Sequence, residues 1–389
     1  MEAAGSDDYC TRIVRDLDEV GAEAWNRLLP ESAAGRPFVG FAFLHALHQS
    51  GCASVRTGWE PHYLTLWRGA TLRAAVPLYR KLHSYGEYVF DWAWADAHER
   101  HGRSYYPKWL AAVPFTPVPG PRLLAVDASD RRRIARELLD LARGSALSSL
   151  HLLFPTDAEA ELLESLGALR RQSVQFHWFN RGYANFDDYL AGLAQPKRKK
   201  VRAERRKVAE AGITLRRRRG AEITEADWRL FDQCYRATYA AHRSTPYLNP
   251  RFFRQLAQQM PEQLLLVVAT HGSRDVAAAL ALHDDRRVYG RYWGTLAAVP
   301  CLHFEVSYYQ LIEFAIERGL AVIEGGAQGE HKHARGFEPV RTWSCHWLRH
   351  PEFSDAVERY LQRETGGVDA YIDELHERTA LKHRTQART

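Results

Sequence analysis

From Glu324 to Phe337 the chain reads Glu-Gly-Gly-Ala-Gln-Gly-Glu-His-Lys-His-Ala-Arg-Gly-Phe. Glu330 and His331 are groups that take up protons, and Lys332 and Arg335 are groups that hold anions or balance an oxyanion. Gln328 adds a hydrogen-bonding amide. The glycines between them let the backbone turn tightly and come close to a ligand. A solvated loop is the commoner fate of such residues. Seven hydrogen-bonding side chains in one short turn make loop 324–337 a candidate active site.

Other residues are expected to face it. Arg291, with Tyr292 and Trp293, closes an aromatic strand that suits a carboxylate or phosphate held over an apolar floor; an ordinary strand with one exposed arginine is an even alternative. His303, Glu305 and Tyr308 open the next helix, where Glu305 also has a plain reading as a partner of the helix dipole. Short connections bring Arg291, His303 and Glu305 toward loop 324–337. In the first half, Glu87, Asp91 and Asp96 lie among Tyr and Trp residues, a mixture that suits a cationic or amine-bearing acceptor or, equally, a packed interface.

A second kind of chemistry sits in the middle of the chain. Twelve Lys or Arg face two Glu between Lys197 and Arg219, a local +10 that leaves the rest at −4 against a total of +6. Pro196 suits a first helical turn and Gly212 a stop, so helix 196–211 is expected. Val201 and Val208 make a thin apolar stripe. Lys197, Arg198, Lys199, Lys200, Arg202, Arg205, Arg206 and Lys207 cover most of the rest. A solvated face with ion pairs of about 0.3–0.5 kcal/mol is the bland reading. So dense a charge repels itself without an anion, and a nucleic-acid backbone would supply one.

The elements that must position these residues recur in order. The first half gives a helix from Phe41, strands His62–Trp67 and Ala74–Tyr79 around an Arg68-Gly-Ala turn, helix Arg132–Ala142 and strand Leu150–Phe154. The second half gives helix Arg251–Gln258, strands Gln263–Thr270, Val276–His283 and Val288–Trp293, helix Phe304–Arg318 and strand Ala321–Ile323. This doubled order predicts two α/β domains, 1–168 and 169–389, each a mixed, mostly antiparallel sheet flanked by helices.

Composition narrows the classes. Hydrophobic residues are 46% of 389, with 11 Trp, enough for two cores. No signal pattern or apolar run near ~18 residues is evident, so a soluble, intracellular, cytoplasmic protein is expected. Five scattered cysteines indicate neither a disulfide framework nor a zinc knuckle, and no metal is expected. Walker, dinucleotide, zincin and Gly-x-Ser-x-Gly motifs are missing.

His83-Ser-Tyr-Gly-Glu-Tyr-Val-Phe-Asp-Trp-Ala-Trp-Ala-Asp-Ala, Tyr105-Tyr-Pro-Lys, Pro114-Phe-Thr-Pro, Gln175-Phe-His-Trp, Tyr289-Gly-Arg-Tyr-Trp-Gly, Leu302-His-Phe-Glu, Tyr308-Tyr-Gln and Gly326-Ala-Gln-Gly-Glu-His-Lys together resemble the bacterial FemAB-like group of N-acyltransferases, within the GNAT superfamily. The motifs run from His83 to Lys332, and the resemblance extends over roughly residues 37 to 360. The resemblance implies tandem GNAT-like domains and acyl transfer to an amine, with no metal or redox cofactor. GNAT enzymes hold the acetyl-CoA pyrophosphate in an Arg/Gln-x-x-Gly-x-Gly/Ala turn. Here Arg291-Tyr-Trp-Gly294-Thr ends in Leu296, which would crowd it. Fem-type ligases, which are similar in their twin domains, take an aminoacyl group from tRNA, and the basic helix suits that donor, although their helical-hairpin insert is missing here. The expectation is a tRNA-dependent aminoacyltransferase acting on a small-molecule or peptide amine. An acyl-CoA N-acyltransferase and a non-catalytic nucleic-acid-binding protein are the alternatives.

Overall fold

The computed structural model describes residues 9–30, 34–326 and 329–382. The chain forms two compact units. One comprises Met1–Ser173 and Thr342–Gly367, the other Val174–Arg341 and Val368–Thr389. The expected single cut at 168/169 therefore misses a return. The segment after Arg341 leaves the second unit inside a strand and completes the first.

In the first unit the strands are β1 (Tyr9–Val14), β2 (Trp59–Pro61), β3 (Tyr63–Arg68), β4 (Thr71–Val76), β5 (Leu78–Lys81), β6 (Lys108–Ala111), β7 (Leu124–Ala125) and β8 (Ser149–Leu153). One sheet runs β1-β3-β4-β7, and β8-β6-β5-β2 are neighbours in another. The expected Arg68-Gly-Ala turn joins β3 to β4. Helix Ala128–Gly144 starts where Asp127 accepts the Asp130 N–H. It buries Ile134, Leu138, Leu139 and Ala142, spaced three and four apart, against Leu64, Leu66 and Val76 of the sheet.

β9 (Leu169–Phe179) carries the chain into the second unit, whose strands are β10 (Ile213–Arg219), β11 (Leu264–His271), β12 (Arg274–His283), β13 (Arg287–Thr295) and β14 (Val322–Glu324). Their order is β10-β11-β12-β13-β14-β9. Only β13–β14 is a parallel pair among these. Leu302–Phe304, a π-turn at Glu305–Tyr309 and Gln310–Glu317 follow one another without a break. This helical run presses Val306, Leu311, Ile312 and Ala315 onto Val288, Ile323 and Val267. Helix Glu225–Ala241 crosses β13 so closely that a Cβ on Gly294 would stand 1.9 Å from the Cys234 carbonyl oxygen. β15 (Glu338–Leu348) returns the chain, and Ser344–Leu348 pair antiparallel with Ser149–Leu153 in the first unit.

Candidate active site

β13 and β14 pair only from Arg287/Val322 to Tyr289/Glu324, and then they part. Gly290 and Gly325 both line the gap that opens there. The ladder with β12 skips Arg291, because Ala281 pairs with Gly290 and Leu280 with Tyr292. This bulge re-aims the strand end. A cavity of about 100 Å³ fills the gap, lined by Arg291, Tyr292, Trp293, His303, Ser307 and Tyr308 among others. Ser307 and Tyr308 belong to the π-turn, a local widening of the helix that frequently marks a functional site. The structure thus brings together Arg291, Tyr292, Trp293, His303 and Tyr308, all of them candidates on sequence grounds.

The surroundings hold both nearby imidazoles toward the neutral form. The His303 ring lies 4.4 Å from the Trp293 ring. Burial, then His331, Arg335 and Lys332, lower its pKa to about 4. His331 Nε2 and the Tyr308 hydroxyl are 2.9 Å apart. The His331 pKa is also lowered, by partial burial and then by Lys332, Arg335 and Lys200. Lys332 is buried, which brings its ammonium down to about 8, and it donates to the Gly326 carbonyl at 3.1 Å. Its stem passes where Gly325 has no side chain: a Cβ there would meet Lys332 Cε at 3.0 Å.

Three expected site residues are committed elsewhere. Arg335 is buried and grips Glu204 of helix Gln195–Glu210 through NH2 (2.6 Å) and Nε (3.2 Å). It also donates to Tyr309 at 2.9 Å and covers the Phe304 ring at 3.4 Å. Glu305 receives Arg205 through two bonds of 3.1 Å and Gln310 through one of 2.9 Å. Glu330 is exposed and accepts from Tyr371 at 2.8 Å. All three are scaffold contacts, because each side chain already has its partner. Gln328 lies outside the described residues.

The basic helix begins at Gln195 and buries Val201, Glu204 and Val208. Arg205 is drawn inward to Glu305 and to Glu313 at 2.7 Å, while Arg198 donates to the Leu193 carbonyl at 3.1 Å. On β10, Arg216 pairs with Asp275 and Asp227, and Arg217 with Glu317. The local +10 is therefore partly cancelled by acids distant in sequence. Lys199, Lys200, Arg202, Arg206 and Lys207 remain exposed, Lys197 half-buried. Arg202 and Arg206 have only loose acidic neighbours, at 3.9 Å and 3.6 Å.

The three acids of the first unit divide. Lys108 donates to Glu87 and to Ser84, each at 2.8 Å, and to Asp91, all of them buried. Asp91 also accepts from Tyr105 at 2.6 Å, and Tyr105 reaches His151, which meets His346 at 2.7 Å. Glu87 and Asp91 are thus an internal ion cluster and not an open acceptor cleft. Asp96 is exposed on helix Trp92–Arg100 and takes no part.

Two buried groups beside the site, Glu324 and His177, receive no role from the sequence, although Glu324 opens loop 324–337. They are register partners on β14 and β9. Glu324 is buried, and burial raises its carboxyl to about 7 against the pull of Arg287, 3.0 Å away. Burial lowers His177 to about 3. A Glu closing an apolar strand is the only sequence signal for the first, and a His-Trp pair for the second.

Comparison with known proteins agrees with this architecture. A family model described as FemAB-like, for peptidoglycan biosynthesis and recognition, matches residues 16–383. The solved structure of FemX superposes over 86% of this chain and 98% of its own, at 12% identity and a TM-score of 0.53. A tandem GNAT protein from the clavulanic acid biosynthesis pathway covers 88% of this chain and 99% of its own, at 12% and 0.46. The C-terminal domain of a putative lysylphosphatidylglycerol synthetase from Agrobacterium fabrum covers 66% and 82%, at 9% and 0.48. No curated protein matches the sequence.

Proposed function

The chain belongs to the FemAB-like family, and from that premise we propose that it forms an amide bond by moving an aminoacyl group from aminoacyl-tRNA to an amine. Family membership carries the coarse reaction class, transfer of an acyl or aminoacyl group. The family description favours a peptide amine of a peptidoglycan precursor as acceptor, ahead of a free small-molecule amine.

One observation carries the finer reading. A cavity at a strand split is lined by Tyr308, whose hydroxyl pairs with His331, and Lys200 of the basic helix lies near enough to act on His331. The ester donor is already activated, so the site must orient the amine, take its proton and balance the oxyanion. The amine nitrogen attacks the ester carbonyl, and its proton passes to neutral His331 through the Tyr308 hydroxyl. Lys332 balances the oxyanion. The ester C–O bond then breaks, and the terminal ribose hydroxyl leaves with the proton returned by His331.

Acyl-CoA is the weaker donor. Arg291–Thr295, the counterpart of a pyrophosphate turn, lies inside β13, and Tyr292 to Thr295 pair with Leu280 to Ala277. This stretch is extended strand and not a turn, and Leu296 follows it where the pyrophosphate motif has a small residue.

The test is label transfer from radiolabelled aminoacyl-tRNA or acetyl-CoA to a pool of amines and cell-wall peptides. RNase-sensitive transfer from tRNA supports the proposal. RNase-insensitive transfer from acetyl-CoA replaces it with the second donor. RNA retention on a filter without any transfer leaves a nucleic-acid-binding protein.

A further inference from the structure

Ten large hydrophobic side chains are exposed among the described residues, and five of them (Leu82, Tyr85, Tyr88, Phe90 and Trp92) belong to one stretch from the end of β5 to the first residue of helix Trp92–Arg100. Phe90 is 63% exposed and Tyr85 58%. A sixth, Val55, lies two residues before Thr57, whose carbonyl meets His83 Nε2 at 3.0 Å. Such grouping is unlike the scattered apolar residues of an ordinary surface.

The patch is held in place. Lys108 of β6 bonds Ser84, Glu87 and Asp91, three residues of the same stretch. Tyr106 reaches Ser84 at 2.8 Å and Tyr105 reaches Asp91 at 2.6 Å. Tyr88 has φ +62°, and Gly86, at φ +79°, sits where a Cβ would be 2.5 Å from the Phe115 ring. A buried ion cluster is a poor source of net stability, but it fixes a conformation. Here it turns both acids inward and leaves the outward side chains apolar or aromatic.

We propose that loop 82–92, with Val55, is a membrane-surface docking site, seating this unit on the headgroup and upper acyl region of a lipid bilayer. Trp and Tyr favour that boundary, and Leu, Val and Phe enter its apolar edge. A sugar would stack on the aromatics but has no use for Val55 and Leu82. A nucleic acid needs a run of cations, whereas here Lys81 is buried against the Trp59 ring and Arg56, next to Val55, is a single exposed charge beside the apolar side chains. A second copy of the chain needs about 800 Å² per partner. Six half-exposed side chains offer on the order of 500 Å², taking about half the area an aromatic carries. Among the described residues no helix is long and apolar enough to cross a membrane, so the contact is with the surface.

The test is co-sedimentation of the full chain with vesicles of phosphatidylcholine alone and of phosphatidylcholine with phosphatidylglycerol. The chain sediments with both. The triple variant Tyr85→Ser, Phe90→Ser, Trp92→Ser partitions at least tenfold less, with an unchanged thermal midpoint because the replaced groups are exposed. Phe90→Ser alone gives a partial loss and serves if the triple variant does not fold. Three results overturn the proposal: the wild type stays in the supernatant; the variants sediment as well as the wild type; or binding persists in the variants and disappears in Lys199→Glu, Lys200→Glu, Arg202→Glu. Light scattering that shows a dimer abolished by the triple variant also overturns it, in favour of a second copy.

Discussion

Arg335 and Glu204 form a buried two-point ion pair across 131 residues of sequence, with NH2–Oε1 at 2.6 Å and Nε–Oε2 at 3.2 Å. It locks the turn after His331 and Lys332 to the helix that carries the exposed cations. The proposed catalytic loop and the proposed donor-binding helix are one assembly. Removing one partner strands the other charge in the interior, which costs about 3–5 kcal/mol. Arg335→Met and Glu204→Gln should each lose that much in denaturant unfolding. The double variant should lose clearly less than the two together. Simple additivity in the cycle would mean that the pair does not act as a unit.

The cations of the helix divide into two groups with opposite expected phenotypes. Lys199, Lys200 and Arg202 are exposed, while Arg205 is fixed to Glu305 and Glu313. Reversing the first three should weaken tRNA binding and flatten its salt dependence, by about 0.7–0.9 in log–log slope for each phosphate no longer neutralised. Arg205→Glu should instead lower stability by about 2 kcal/mol through the absence of its charge-assisted bonds. Filter binding from roughly 50 to 200 mM salt, a range over which phosphate-dominated affinity changes steeply, separates the cases. An unchanged slope in the triple variant would leave the face merely solvated.

His331 and Tyr308 supply a kinetic prediction. His331→Ala should lower kcat by about 10²–10⁴, the usual worth of a positioned base. Tyr308→Phe keeps the ring against Phe337 and His303 and removes only the hydroxyl, so it should lower kcat with little change in KM. The His331 pKa is depressed from 6.5, so the neutral base persists below the ordinary imidazole range. The acid limb of kcat/KM should fall at a pH below that value and vanish in His331→Ala. An acid limb that survives in that variant assigns the base to another group.

What was legible from sequence depended on distance. The β3–β4 hairpin is announced by Arg68-Gly-Ala, and local alternation places it and the β11–β12 hairpin within a few residues. Arg291, Trp293, His303 and Tyr308 are recognisable because one short connection brings a strand end to a helix start. The partners of the arginines were not legible. Glu305, Glu313, Glu317 and Asp275 lie 59 to 108 positions from the arginines they neutralise, and composition cannot pair them. The return of 342–367 to the first unit was hidden for the same reason: a strand's register partner is set by tertiary pairing and not by its own pattern.

Two glycines in the second unit should respond differently to alanine. At Gly294 a Cβ meets a backbone oxygen of helix Glu225–Ala241 at 1.9 Å, and neither chain can yield. Gly294→Ala should destabilise by about 3 kcal/mol or more, beyond ordinary overpacking. At Gly325 the Cβ meets only side chains, the nearest being the Lys332 stem at 3.0 Å and 3.1 Å. Gly325→Ala should therefore leave the thermal midpoint within a few degrees while displacing the Lys332 ammonium, and the loss should appear in kcat. Equal stability losses in the two variants would contradict this division.

Glu324 gives a stability signature whose sign is fixed by its shift. Burial raises its carboxyl from 4.5 to about 7 in the folded protein. Between those values the folded state holds a proton that the unfolded state has released, so stability declines as pH rises through the window. Above about 7 the carboxylate is ionised in both states and its burial penalty is fully present. Below 4.5 it is protonated in both and the penalty is gone. Glu324→Gln mimics the protonated form. At a pH about one unit above the raised value it should stabilise the protein by up to about 3 kcal/mol, the worth of the shift. The advantage should shrink steadily to nothing as pH falls to the ordinary carboxyl range. Paired urea titrations across that range measure it. A difference that stays constant with pH would show that Glu324 does not carry the raised carboxyl.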